Sequence, residues 1–258
     1  MTLGLTLTDP VGPDGAPLLV LGPSLGTSTI LWETATPVLS PRYRVRAWDL
    51  PGHGDSPPAD GGFSVADLAD AVAAAVDEPT FRYAGVSLGG AAGLELMLRH
   101  PHRVEAAVIV ASGAQLGDPA AWHERAARVR AESTSSLIIA SAQRWFAEGS
   151  VARHPELTGR LLHALQRADD ENYARCCEAL AAYDIRGRLR DIATPTFALW
   201  GQHDAVAPEA KAVEIADGVQ RGEVAMVADA GHLPPAEQPE AVADALLRFF
   251  ASEEGRTK

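Results

Sequence analysis

Ser87, Asp204 and His232 are the residues of this 258-residue chain whose types and order could do chemistry together. Ser87 is the centre of Gly85-Val86-Ser87-Leu88-Gly89, set between the apolar run FRYAGV and the helical pattern GAAGLELML. A serine flanked in this way at a strand-to-helix turn forms a nucleophile elbow: the turn brings backbone segments too close for side chains and leaves the hydroxyl exposed. A serine hydroxyl is a poor nucleophile at neutral pH and needs a base that is itself oriented by a carboxylate. Asp204 follows the run TFALWG, His232 follows EVAMV, and the order Ser, Asp, His predicts acyl transfer through an acyl-serine intermediate. The oxyanion formed on attack needs backbone N–H donors. Leu88, at the mouth of the helix after the elbow, supplies one. Spacing back from Trp32 in PSLGTSTILW gives Leu25 as the second.

These residues need a scaffold that brings distant segments together. Six short runs rich in branched residues, at 17–22, 43–49, 81–87, 104–112, 196–201 and 223–227, read as buried parallel strands. Helical patterns lie between them, among them 64–76, where Ser64 and Asp67 have the spacing of a capping box, and 90–100. Alternation of this kind predicts an α/β fold with a mostly parallel central sheet and helices on both faces. Asp204 and His232 then lie beyond the carboxyl ends of strands, where open α/β sheets bind ligands. From 116 to 190 the alternation stops and helical patterns follow one another. The expected organisation is a core of residues 1–115 and 191–258 with a helical cap, 116–190, inserted in it.

Composition narrows the partners. The formal charge of −12 and the lack of a basic cluster argue against nucleic acid. Residues 116–190 hold 11 basic and 10 acidic side chains, net +1, leaving 11 against 24, or −13, for the rest, so the cap is the least repulsive surface for an anionic substrate. The N-terminus lacks the pattern of a signal peptide and no apolar stretch reaches membrane-spanning length, which predicts a cytoplasmic protein without a membrane partner. Adjacent Cys176 and Cys177 are expected to be free thiols on a helix, with one turned inward. There is no metal-ligand spacing and no phosphate-binding loop, so no metal and no cofactor are expected. His203, next to Asp204, is expected to point away from it, and His53, Asp49 and Asp55 belong to the turn WDLPGHGDSP with structural roles.

LGPSLGTSTILW, WDLPGHGDSP, GVSLGGAAGLELMLRHPHRV, AWHERAARVRAE, RWFAEG, YARCCEALAAYDIRGRL and AGHLPPAEQPEAV together resemble the 3-oxoadipate enol-lactonases of the α/β-hydrolase superfamily, over roughly residues 18–250. Pro23-Ser24 stands where many of the superfamily carry His-Gly. The resemblance implies hydrolysis of a small carboxymethyl enol-lactone to 3-oxoadipate, in the protocatechuate branch of aromatic degradation. It also implies a partner for the substrate carboxylate, for which Arg125 and Arg128 are the candidates, and a pocket lined or roofed by Trp122 and Trp145. The short run from LTLTDP into the first strand leaves little room for the superfamily's first hairpin and predicts a missing edge strand. No part of residues 1–258 is expected to form the decarboxylase domain that is fused to some lactonases. The alternatives are another carboxylesterase or a carbon–carbon bond hydrolase of the same fold, and a non-catalytic ligand receptor. Dehalogenases and epoxide hydrolases would place Asp at position 87.

Overall fold

The computed structural model describes residues 3–256. The strands are β1 (Leu18–Gly22), β2 (Arg44–Ala47), β3 (Phe81–Val86), β4 (Val104–Val110), β5 (Thr196–Gly201) and β6 (Gly222–Val227). They form one six-stranded sheet in the order β2-β1-β3-β4-β5-β6, with every neighbouring pair parallel. Parallel strands are covered on both faces and so read as apolar runs. Burial follows that rule in β1 and β3, where every residue is buried. At the β6 edge it does not: Val224 and Met226 are exposed.

The helices are α1 (Thr36–Leu39), α2 (Val65–Ala75), α3 (Leu88–Arg99), α4 (Pro119–Glu132), α5 (Ile138–Trp145), α6 (Ser150–Arg153), α7 (Pro155–Arg167), α8 (Asp170–Ala181), α9 (Glu209–Gly218), α10 (Pro234–Glu237) and α11 (Pro239–Arg256). The expected capping box opens α2: the Ser64 hydroxyl accepts from the Asp67 N–H while Asp67 accepts from the Ser64 N–H. Alternation along β3 assigns the two faces of the sheet. Tyr83 turns toward α3, where its hydroxyl donates to the Gly89 carbonyl at 2.7 Å. Its neighbour Arg82 turns the other way and pairs with Glu254 of α11 at 3.1 Å. Five helices, α4 to α8, stand between β4 and β5, where the strand-helix alternation was expected to stop.

At the β2 edge, the N-terminal segment adds only isolated antiparallel bridges, Leu7 with Trp48 and Val11 with Val45. No described strand precedes β1, in keeping with the short run before it. Both cysteines are free and fully buried, which corrects the expectation that only one faces inward. The reason is tertiary: α8 packs extensively along α4 as well as against the core, so more than one of its faces is covered. No helix among the described residues is long and apolar enough to cross a membrane.

The chain leaves β1 toward β2 on one side and leaves β3 toward β4 on the other, so the connections diverge between β1 and β3. That switch point opens a crevice above the carboxyl ends of these two strands. The bond from Tyr83 to Gly89 fixes the first turn of α3 beside it. Tyr83→Phe is expected to keep the fold and lower unfolding stability by about 1 kcal/mol, the usual net value of one buried hydrogen bond. Urea denaturation followed by circular dichroism checks this, and an unchanged midpoint would remove the bond from the account.

Candidate active site

Ser87 occupies the turn between β3 and α3 with φ 55° and ψ −114°, a strained combination for a residue with a side chain. A Cβ on Gly85 would lie 2.4 Å from the Gly89 carbonyl oxygen, and one on Gly89 would lie 2.5 Å from the Pro23 carbonyl oxygen. Side chains are excluded at both positions, which is the physical content of the G-x-S-x-G spacing. The turn is held from three directions. The Ser87 N–H donates to the Val110 carbonyl at 2.9 Å, the Ser112 hydroxyl donates to the Ser87 carbonyl at 2.7 Å, and the Gly89 N–H donates to the Pro23 carbonyl at 2.9 Å.

Asp204 sits in the loop after β5 and His232 in the loop after β6. Their side chains meet, with His232 Nδ1 3.0 Å from Asp204 Oδ2. A carboxylate can only accept, so Nδ1 carries a proton, and the neutral tautomer that makes this bond has its lone pair on Nε2. The other carboxylate oxygen accepts from the Val206 N–H at 2.7 Å and the Ala207 N–H at 3.0 Å. Burial raises the Asp204 pKa, but the charge and hydrogen bond of His232 and the two N–H donors outweigh it, and the group stays below its ordinary value. The carboxylate is thus ionised and immobile behind the imidazole.

The His232 loop is also tied to the helical segment. The N–H groups of His232 and Leu233 both donate to the Trp145 carbonyl, at 2.9 and 3.2 Å. The buried Glu237 carboxylate bridges the Ala147 and Gly231 N–H groups at 2.7 Å each. Nothing local in the sequence marks this strut, because its two partners lie 90 and 6 residues away.

Ser87 and His232 line one cavity of about 290 Å³ together with Ser24, Leu25, Trp122, Arg125, Arg144 and Trp145. Of the residues singled out from sequence, the structure brings Ser87, His232, Leu25, Trp122, Arg125 and Trp145 to this cavity and places Asp204 directly behind it. Leu88 is fully buried, and as the first residue of α3 it has an N–H with no carbonyl of the helix to use. No described acceptor takes the Leu25 N–H.

Arg128 is a correction. It does not line the cavity; its guanidinium bonds Glu132 at 3.1 Å and the Ser136 carbonyl at 3.0 Å, with the side chain half exposed. Although it lies only one turn from Arg125, a carboxylate four residues along the helix draws its side chain away. Arg144 was not foreseen. It makes no ion pair or hydrogen bond with any described residue. Arg125 has no carboxylate partner either: its guanidinium lies 5.3 Å from the Trp122 ring centre and 3.4 Å from the Tyr173 hydroxyl. Asp118, whose carboxylate caps α4 by accepting from the Ala120 N–H, is also among the residues that line the cavity.

The residues read as structural are placed elsewhere. His203 is exposed, with its N–H on the Ala230 carbonyl. Asp49 is buried and accepts from the Thr29 and Asp55 N–H groups at 2.8 and 3.0 Å, while Asp55 is exposed. His53 is buried against the Tyr173 ring, with Nδ1 2.9 Å from the Pro51 carbonyl.

A model of the alpha/beta hydrolase family matches residues 19–245. The chain belongs to the alpha/beta hydrolase family. It is 31% identical over 245 residues to 3-oxoadipate enol-lactonase 2 of Acinetobacter baylyi, covering 93% of this chain and 91% of that protein. To the carboxylesterase YbfK of Bacillus subtilis it is 28% identical, covering 93% of this chain and 82% of that one. The crystal structure of the enol-lactonase from Burkholderia xenovorans LB400 superposes with a TM-score of 0.91 at 30% identity, over 96% of both chains. A hydrolase scaffold is therefore established, and the resemblance to enol-lactonases spans nearly the whole molecule.

His53 gives this family member a specific acid sensitivity. Burial pushes its imidazole from 6.5 down to about 4, against the Pro51 carbonyl and Asp169, which favour the charged form. The unfolded chain then binds the extra proton first as pH falls, so the contribution is complete above about pH 6.5 and is lost between there and about pH 4. The loss is on the order of 3 kcal/mol for a shift of this size. Urea unfolding at pH 7 and pH 5 is expected to show a smaller difference in His53→Phe than in the wild type; equal differences would count against this origin.

Proposed function

We propose that the protein hydrolyses a small lactone bearing a carboxylate, with 3-oxoadipate enol-lactone as its substrate in the protocatechuate branch of aromatic degradation. The observation that carries this reading is the presence of Arg125 and Arg144, both without carboxylate partners, in the cavity lined by Ser87 and His232. Arg125 and Arg144 share the cavity lining with a single acidic residue, Asp118, in a chain whose net charge is −12. Guanidinium groups bind carboxylates through charge-assisted hydrogen bonds. A neutral ester would leave them idle. The enol-lactonase relatives point the same way, and residues 116–190 then serve as the cap that supplies recognition to a core made of 1–115 and 191–258.

The chemistry of this reading is supported by the His232–Asp204 pair and by the cavity that Ser87 shares with His232. His232 Nε2 accepts the Ser87 proton as Oγ attacks the ring carbonyl, and Asp204 holds the imidazolium. The N–H groups of Leu25 and Leu88 stabilise the oxyanion. Collapse breaks the ring C–O bond, and His232 returns the proton to the departing enol, which becomes a ketone. A ketone is a poor nucleophile, so ring closure does not compete, and water activated by His232 releases 3-oxoadipate from Ser87. No step calls for a cofactor or a metal, and the small-molecule lactone is the partner. A cytoplasmic location suits a substrate made and consumed inside the cell.

Loss of enol-lactone absorbance with purified protein tests the reading. Wild type is expected to turn over, and Ser87→Ala to lose at least about 10⁴-fold in kcat. Arg125→Ala and Arg144→Ala should each raise KM for the lactone about 10-fold, the scale of one charge-assisted hydrogen bond, and leave a neutral p-nitrophenyl ester unaffected. Equal losses on both substrates would remove the carboxylate reading. Hydrolysis of the neutral ester alone would favour a carboxylesterase.

A further inference from the structure

We infer that the Ser24 hydroxyl is a third donor to the developing oxyanion, beside the backbone N–H groups of Leu25 and Leu88. This rests on the reading that Ser87 is acylated, and it names a further residue for that step. Ser24 is a lining residue of the cavity that also holds Ser87, and it is only 2% exposed. No described residue accepts from or donates to Ser24 Oγ.

Serine in a turn commonly folds its hydroxyl back onto the local backbone. Here Thr27 does that work. Its hydroxyl accepts from the Ser24 N–H at 3.1 Å and donates to the Ser24 carbonyl at 2.8 Å, and its own N–H reaches the same carbonyl at 3.0 Å. The Ser24 backbone is locked and its hydroxyl is left over. The turn is fixed against α3 by the bond from the Gly89 N–H to the Pro23 carbonyl, at 2.9 Å. Behind it, the packing against Gly26 is so close that an added Cβ would come 2.7 Å from Leu165 and 3.1 Å from Tyr173.

Sheet order decides which substrate oxygen this hydroxyl meets. β1, which leads into Ser24, lies on one side of β3 and Ser87, while β5 and β6, which lead into Asp204 and His232, lie on the other. The leaving oxygen must lie toward His232, which protonates it. The carbonyl oxygen therefore turns to the β1 side, where Ser24 follows the β1 residue Gly22, paired in register with Gly85. A donor set there is preorganised for charge that appears only on attack.

The test uses a fluorophosphonate, whose phosphoryl oxygen takes the position of the carbonyl oxygen, so that it does not depend on the natural substrate. The labelling rate at Ser87 and kcat on p-nitrophenyl acetate are each expected to fall about 100-fold in Ser24→Ala, the lower end of the range seen when one such donor is removed. KM and the melting temperature should stay near wild type. Ser24→Thr, which keeps the hydroxyl, should recover most of the rate. Rates within twofold of wild type in Ser24→Ala would overturn the inference, as would a change confined to KM. A lowered melting temperature with no recovery in Ser24→Thr would assign the residue to structure alone. Failure to hydrolyse the enol-lactone, with Ser87 still labelled, would remove the substrate assignment and leave the role of Ser24 decided by the labelling rates.

Discussion

There is no room for a side chain where the end of β3, the start of α3 and the loop after β1 converge, and the site depends on that contact. Gly85 and Gly89 allow the approach, and the bond from the Gly89 N–H to the Pro23 carbonyl closes it. The contact forces Ser87 into a backbone conformation that isolated serine avoids. Strain of this kind persists only where surrounding structure over-determines it. Here the Val110 carbonyl, the Ser112 hydroxyl and the Tyr83 hydroxyl all act on the same turn. The same contact aligns the β1 loop with the first turn of α3, so one packing constraint positions both the serine and the N–H groups beside it.

The base side of the site is built by a different means. Asp204 is buried, and burial alone would favour its neutral form. Three hydrogen bonds, one from His232 and two from the backbone, keep it charged. An ionised, fully bonded carboxylate fixes both the tautomer and the angle of the imidazole. His232 is further held because its N–H and that of Leu233 end on the Trp145 carbonyl. Nucleophile and base thus approach the cavity from opposite halves of the sheet, each on a loop whose backbone is pinned.

Much of this was legible in the sequence because it is local. Each strand is a short apolar run that must be buried on two faces, and all six lie within two residues of the expected bounds. The α2 capping box needs only residues three apart. The pentapeptide around Ser87 encodes its own steric constraint. What escaped depends on partners far away in the chain. The pairing of Arg128 with Glu132 is the exception, four residues apart on one helix and local in the sequence; that Arg144, one residue before Trp145, finds no carboxylate is decided by tertiary placement. Nothing in RWFAEG distinguishes it from the ten other arginines of residues 116–190. Likewise, the second buried cysteine follows from α8 packing along α4, which helical periodicity taken one helix at a time does not reveal.

Charge and packing divide the cavity into two ends of different origin. The end at Ser87 is made of loops that leave the sheet, and its groups are placed by the close approach at Gly85 and Gly89 and by hydrogen bonds to the backbone, several of them made by the Ser112 and Tyr83 hydroxyls and the Glu237 carboxylate. The end at Arg125 and Arg144 is made of side chains on α4 and α5, where Arg125 lies over the Trp122 ring and neither arginine is ion-paired with a described residue. Substitutions on α4 can therefore change which acid, alcohol or lactone is held without disturbing the elbow. Relatives on this scaffold accordingly bear both lactonase and carboxylesterase names. That independence is incomplete in one place. Trp145 lines the cavity with its ring and anchors the His232 loop with its carbonyl, while Glu237 ties the adjacent Ala147 to Gly231. A change that shifted the end of α5 would move the base as well as the pocket wall, so recognition can vary freely along α4 but only within limits where α5 meets the His232 loop.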